Sequence, residues 1–108
     1  ANKSVDKIKI IQAIDKRISV DEIARTLGMK RAALIEELES IVNSGTKLNI
    51  DYYLNDKFDE ELIGDVYDFF RTHENGSLDE ALNEFENDNI EMEDLQLIRI
   101  KFMSEMAN

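Results

Sequence analysis

The chain of 108 residues is 43% hydrophobic and 34% charged, which fits one folded domain, or two very small ones, and excludes a disordered tail. It has no Cys and a single His, which excludes a disulfide framework, a thiolate zinc site, a Cys nucleophile and a His-pair metal site. No apolar stretch approaches the ~20 residues that span a bilayer, and the net charge of −11 repels the chain as a whole from phosphate backbones.

That charge is unevenly placed. Residues 1–48 hold 9 Lys/Arg and 7 Asp/Glu, a net of +2, and residues 49–108 hold 4 and 17, a net of −13. Any contact with DNA must come from the first part, while the second reads as a solvated acidic surface or a face for a basic partner. The start, Ala1-Asn2-Lys3-Ser4, leads directly into an amphipathic segment without the pattern of a signal peptide. Together with the lack of Cys, this points to a cytoplasmic protein.

Helical signals then follow one another along the chain. Residues 5–16 form the first helix, with Ser4 as its N-cap and an apolar face of Ile8, Ile11, Ile14 and Ile18. Ser19-Val20-Asp21-Glu22 is a capping box that opens a short helix ending at Gly28, a residue suited to the left-handed C-terminal position. A third helix spans about residues 30–43 with the stripe Leu34, Leu38, Ile41 and Val42, and ends at Gly45. Residues 46–49 read as a linker. An apolar turn around Ile50, Tyr52, Tyr53 and Leu54 follows, then a helix over about residues 59–73 bearing Leu62, Ile63, Val66, Phe69 and Phe70. Asn75-Gly76 breaks it, and Ser77-Leu78-Asp79-Glu80 is a second capping box opening a helix with Leu78, Ala81, Leu82 and Phe85. Glu86-Asn87-Asp88-Asn89 is a turn. The last helix, about residues 91–106, carries Leu95, Ile98, Phe102 and Met106, and Leu97, Ile100 and Met103 widen its apolar face enough for packing on more than one side. No segment alternates with period 2. The expected fold is all-α with six or seven helices: a helix-turn-helix subdomain over residues 1–45 and an acidic helical subdomain over residues 46–108, packed on the first and ending at the natural C-terminus.

Residues 19–42 carry the helix-turn-helix spacing. Ala24 is the small residue where two helices cross, Gly28 follows four positions later in the turn, Met29 plugs that turn, and Leu34 and Leu38 anchor the second helix. In such motifs the second helix reads bases from its N-terminal turn. Here that turn offers Lys30 and Arg31 for phosphates or a guanine edge, followed by Ala32 and Ala33, which have no hydrogen-bonding groups, and then Glu36, Glu37 and Glu39. The candidate nucleic-acid contacts are Arg25, Lys30, Arg31, Lys7, Lys16 and Arg17, with Lys3 and Lys9 adding to a weak electrostatic footprint; each also suits a solubilising surface role.

These residues resemble a known family. Ser19-Val20-Asp21-Glu22-Ile23-Ala24, through Gly28-Met29 and Leu34-Ile35-Glu36-Glu37-Leu38, is similar to the helix-turn-helix domain at the extreme C-terminus of many bacterial RecQ-type ATP-dependent DNA helicases. The segment Ser44-Gly45-Thr46-Lys47-Leu48-Asn49-Ile50-Asp51-Tyr52-Tyr53-Leu54 and the ending Arg99-Ile100-Lys101-Phe102-Met103-Ser104-Glu105-Met106-Ala107-Asn108 resemble one branch of those proteins, so the likeness runs from about residue 5 to residue 108. It departs from them at Ala32, Ala33 and Glu37, where relatives often carry Ser, Thr and His. The resemblance implies a non-catalytic accessory fragment of a larger protein that unwinds DNA in the 3′-to-5′ direction with ATP and Mg²⁺, in recombination and repair at the nucleoid. The fragment itself has no Walker A loop and no Cys for the family's zinc-binding domain, so ATP, Mg²⁺ and Zn²⁺ are expected only in the parent. The implied partners are DNA, contacted weakly through residues 1–45, and other domains of the parent, with no membrane.

Two other functions fit the residues. One is a protein-interaction module that docks a basic partner through residues 49–108 without touching DNA. The other is a free-standing transcription regulator, which would need a homodimer to match two half-sites. Chemistry finds little support: among 24 acids, carboxylate pairs arise by chance, and Asp88, Glu91 and Asp94 lack the Gly and terminal Glu of a calcium loop. His73 reads as a helix-end residue. Tyr52 and Tyr53 offer stacking surfaces for unpaired bases, but packing against the linker suits their acidic neighbourhood better.

Overall fold

A computed structural model describes residues 3–73 and 76–106. Among these residues there are seven α-helices and no strands: α1 (Lys3–Asp15), α2 (Val20–Leu27), α3 (Arg31–Asn43), α4 (Asp51–Lys57), α5 (Glu60–Thr72), α6 (Leu78–Glu84) and α7 (Met92–Met106). None of them is long and apolar enough to cross a membrane.

The local signals act where the sequence places them. Ser19 Oγ accepts from the Glu22 amide at 3.1 Å, and Ser77 Oγ accepts from the Glu80 amide at 3.0 Å, so each Ser caps a helix start as its capping-box sequence implies. Gly28 takes φ 66°. Its amide donates to the Arg25 carbonyl at 3.2 Å and the Met29 amide to the Ala24 carbonyl at 2.8 Å, a Schellman closure that turns the chain from α2 into α3. Gly76 meets a different demand: a Cβ there would lie 2.9 Å from His73 Cβ. Its predicted partner in the break, Asn75, lies outside the described residues.

Four expectations need correction. Ser4 lies inside α1, which starts at Lys3, so it does not occupy the cap position. The buried face of α1 is Ile10 and Ile14, at 0% and 2% exposure, whereas Ile8 is 54% exposed. At about 100° per residue, Ile8 points about 140° away from the Ile10–Ile14 face, and the Ile-rich sequence permits either choice of stripe until a partner selects one. The turn around Tyr52–Leu54 is the helix α4. Met106, the last residue of α7, is 58% exposed, while Ser104 in the same turn is the residue that faces inward.

Helices α1, α2 and α3 pack against one another as a trihelical unit. Helix α7 lies along α3 on one side and against α5 and α6 on the other, with α4 also in contact. Leu95, Leu97, Ile98 and Ile100 are all at 0% exposure, as a helix packed on several sides requires. One apolar cluster therefore runs from Ile10 in α1 to Ile100 in α7. The linker is fastened to it: Leu48 is buried, its amide donates to Ser104 Oγ at 2.9 Å, and that hydroxyl donates to the Leu48 carbonyl at 3.0 Å.

Candidate nucleic-acid interface

The N-terminal turn of α3 is the place where a helix-turn-helix unit meets bases, and here it is occupied from within. Arg31, its first residue, uses all three guanidinium nitrogens. Nε donates to Asp21 Oδ1 at 2.9 Å, Nη1 to Glu93 Oε1 at 2.5 Å, and Nη2 to Tyr53 Oη at 3.0 Å and Asp94 Oδ1 at 3.3 Å. Tyr53 Oη in turn donates to Asp21 Oδ2 at 2.9 Å and accepts from Lys57 Nζ at 3.1 Å. Tyr53 and Asp94 are buried, and the Arg31 side chain keeps 23% exposure. Two cations thus face three carboxylates, supplied by α2, α3, α4 and the first turn of α7.

The cluster shifts its own protonation equilibria. Burial works against the charged form of Arg31, but the hydrogen bonds to Tyr53 and Glu93 and the charges around it hold its pKa above the ordinary value. Burial likewise opposes the Asp21 carboxylate; the Tyr53 hydrogen bond and the charges of Arg31 and Lys57 outweigh it, and the pKa falls below 3.8. A carboxylate depressed in the folded state stabilises the fold fully above its unfolded pKa, from about pH 5 upward, and that contribution is lost as pH falls through the lower folded value. Asp21→Asn is therefore expected to flatten the loss of urea stability between about pH 5 and pH 2 relative to the unmodified chain; parallel curves for the two proteins would show that Asp21 carries no such linkage.

The six candidate cations do not converge. Lys7 Nζ donates to Ser44 Oγ at 3.3 Å, at the C-terminal end of α3, where a cation complements the helix dipole. Lys30 is the exposed N-cap residue of α3, and the 13 residues of that helix separate it from Lys7. Arg25 is exposed on the last turn of α2. Lys16 and Arg17 are exposed just beyond α1, with Arg17 in the left-handed region at φ 60°. Among the described residues, Lys16, Arg17, Arg25 and Lys30 form no side-chain ion pair, so four cations remain for an anion while Arg31 is engaged internally.

The outward stripe of α3 is Ala32, Glu36, Ser40 and Asn43. Glu39 is turned away from it and pairs with Arg99 of α7 at 2.7 Å. Tyr52 and Tyr53 are packing residues: the Tyr52 hydroxyl donates to the Ile18 carbonyl, and burial, with the neighbouring Tyr53, pushes its phenol up to about 12. His73 closes α5, its Nδ1 2.9 Å from the Phe69 carbonyl and its ring stacked on Phe69. Asp94 has a helix-capping role, accepting from the Glu91 amide at 3.2 Å while it holds Arg31. Among the described residues, no group of His, Asp and Glu side chains is arranged to hold a metal ion.

The Arg31 cluster escaped the sequence reading because its partners on α7 are 62 and 63 residues away. Only Tyr53 and Lys57, one helical turn apart, carried a local signal.

Residues 4–54 match the family described as RecQ-1-like, helix-turn-helix domain. No curated protein sequence matches the chain. The matched segment covers α1, α2, the Gly28 turn, α3, the fastened linker and the first turn of α4. Over residues 4–54, just under half of its length, the chain is therefore similar to the helix-turn-helix domain of the RecQ-1-like family.

Proposed function

We propose that the chain is a non-catalytic accessory domain from the C-terminus of a RecQ-like ATP-dependent 3′-to-5′ DNA helicase of recombination and repair, acting at the nucleoid to position DNA. In this reading residues 1–45 are the DNA-facing subdomain and residues 46–108 an acidic subdomain that shares its core and contacts the parent's other domains. ATP, Mg²⁺ and Zn²⁺ belong to those other domains.

The observation that carries the reading is the family match over a trihelical unit whose turn leaves Arg25 and Lys30 exposed and unpaired among the described residues. The mode of contact follows from α3. Its outward face offers Ala32 and Glu36 where base readers need donors, which favours phosphate contact over base recognition. Lys7, Lys16 and Arg17 would extend the footprint, and Arg31 would brace it.

The double variant Arg25→Glu with Lys30→Glu is expected to weaken binding to forked and duplex DNA in fluorescence anisotropy and to flatten the dependence on salt between about 50 and 200 mM. Absence of binding by the unmodified chain at about 50 mM salt would refute the reading. It would turn attention to a basic protein partner for the exposed carboxylates Glu60, Glu61, Asp65, Asp79, Glu80 and Glu84 of α5 and α6.

A further inference from the structure

We infer that Glu93, with Asp94 behind it, sets the DNA affinity of this domain by occupying the guanidinium of Arg31 that would otherwise meet a phosphate. The inference rests on the DNA-positioning reading above and adds a residue from the acidic part of the chain to it.

Three observations lead there. Arg31 is the first residue of α3, the position from which a helix-turn-helix unit reaches the DNA backbone and base edges. Its three nitrogens are all taken by oxygen acceptors, and two of the three carboxylates come from one place, the start of α7. The cluster is also open to solvent: side-chain exposure is 23% for Arg31, 35% for Glu93 and 51% for Asp21, so a phosphate has access to the group it would compete for.

The chemistry of the two occupants is the same. A carboxylate and a phosphate both present paired oxygens to a guanidinium fork. With Glu93 in place, the two cations Arg31 and Lys57 stand against three carboxylates, and an approaching phosphate meets a net negative cluster. Neutralising Glu93 alone makes the group balanced and leaves at Nη1 only a neutral acceptor that a phosphate can displace, while Asp21, Asp94 and Tyr53 continue to hold Arg31 in position. Asp94 is less suited to release, because it is buried and also caps α7 through the Glu91 amide.

The test compares Glu93→Gln with Glu91→Gln in the full chain, titrated against duplex and forked DNA. Glu91 is exposed two residues away, and its side chain makes no ion pair among the described residues, so it reports the general gain from removing one negative charge. Glu93→Gln is expected to bind roughly three- to tenfold tighter than the unmodified chain at about 50 mM salt, with the log–log salt slope steeper by about 0.9, the change for one added phosphate contact. Glu91→Gln is expected to give less than half of that gain and no change in slope. Equal effects of the two variants, with binding by the unmodified chain intact, would overturn the role of Glu93 and leave the DNA reading standing. Failure of the unmodified chain and of Glu93→Gln to bind at about 50 mM salt would overturn both.

Discussion

Ile98→Ala is expected to lower the stability of the whole chain by about 2–5 kcal/mol, the cost of a large-to-small change at a site that cannot collapse. Ile98 is fully buried near the middle of α7. That helix covers α3 of the helix-turn-helix unit on one side and α5 and α6 on the other, so the cavity would weaken both parts at once. Unfolding followed by circular dichroism and by amide exchange should show one transition, with α2 and α5 losing protection together. Loss of α5 protection with α2 unchanged would show instead that residues 1–45 hold a core of their own. The distinction matters for function, because a unit that folds only against α7 presents its cations in a geometry that the acidic part of the chain controls.

The legible parts of this fold are those decided within one or two turns of helix. Ser19, Ser77 and Gly28 satisfy backbone groups a few residues away, and each does so as its neighbours in sequence imply. The breadth of the apolar face on α7 likewise announced a helix packed on several sides. What could not be read is which of two equivalent options a distant partner selects. In α1 the sequence offers Ile8 and Ile10 equally, and packing against α2 and α3 decides for Ile10. Ser104 carries no local signal of its role, yet it is buried and clamps the Leu48 backbone 56 residues away. Candidate contacts were harder still. Lys30 and Arg31 are adjacent and alike in sequence, yet one is exposed and the other is held by carboxylates more than sixty residues away. Charge counting places both in the same footprint; only tertiary structure separates an available cation from a committed one.

Arg31→Ala is the second change expected to have a large effect, and its sign rests on an asymmetry. Removing one partner of a buried ion pair costs about 3–5 kcal/mol, because the remaining charge is left without compensation. The cluster here is partly open, with Arg31 at 23% and Asp21 at 51% exposure. Water can take over part of the compensation, which brings the expected loss to about 2–3 kcal/mol. Asp94, buried beside Tyr53, bears most of that penalty. The triple change Arg31→Met, Glu93→Gln, Asp94→Asn removes the charges along with the cation, keeps an acceptor for the Glu91 amide, and is expected to cost less than Arg31→Ala alone. Urea unfolding of the two proteins at neutral pH decides between the accounts. A triple variant as far below the unmodified chain as Arg31→Ala would mean that the cluster contributes net attraction, holding α3 to α7 by its charges; one close to the unmodified chain would mean that its main effect is to fix where the guanidinium points. Only in the second case is Arg31 a residue whose partners can be exchanged for a phosphate at little cost to the fold.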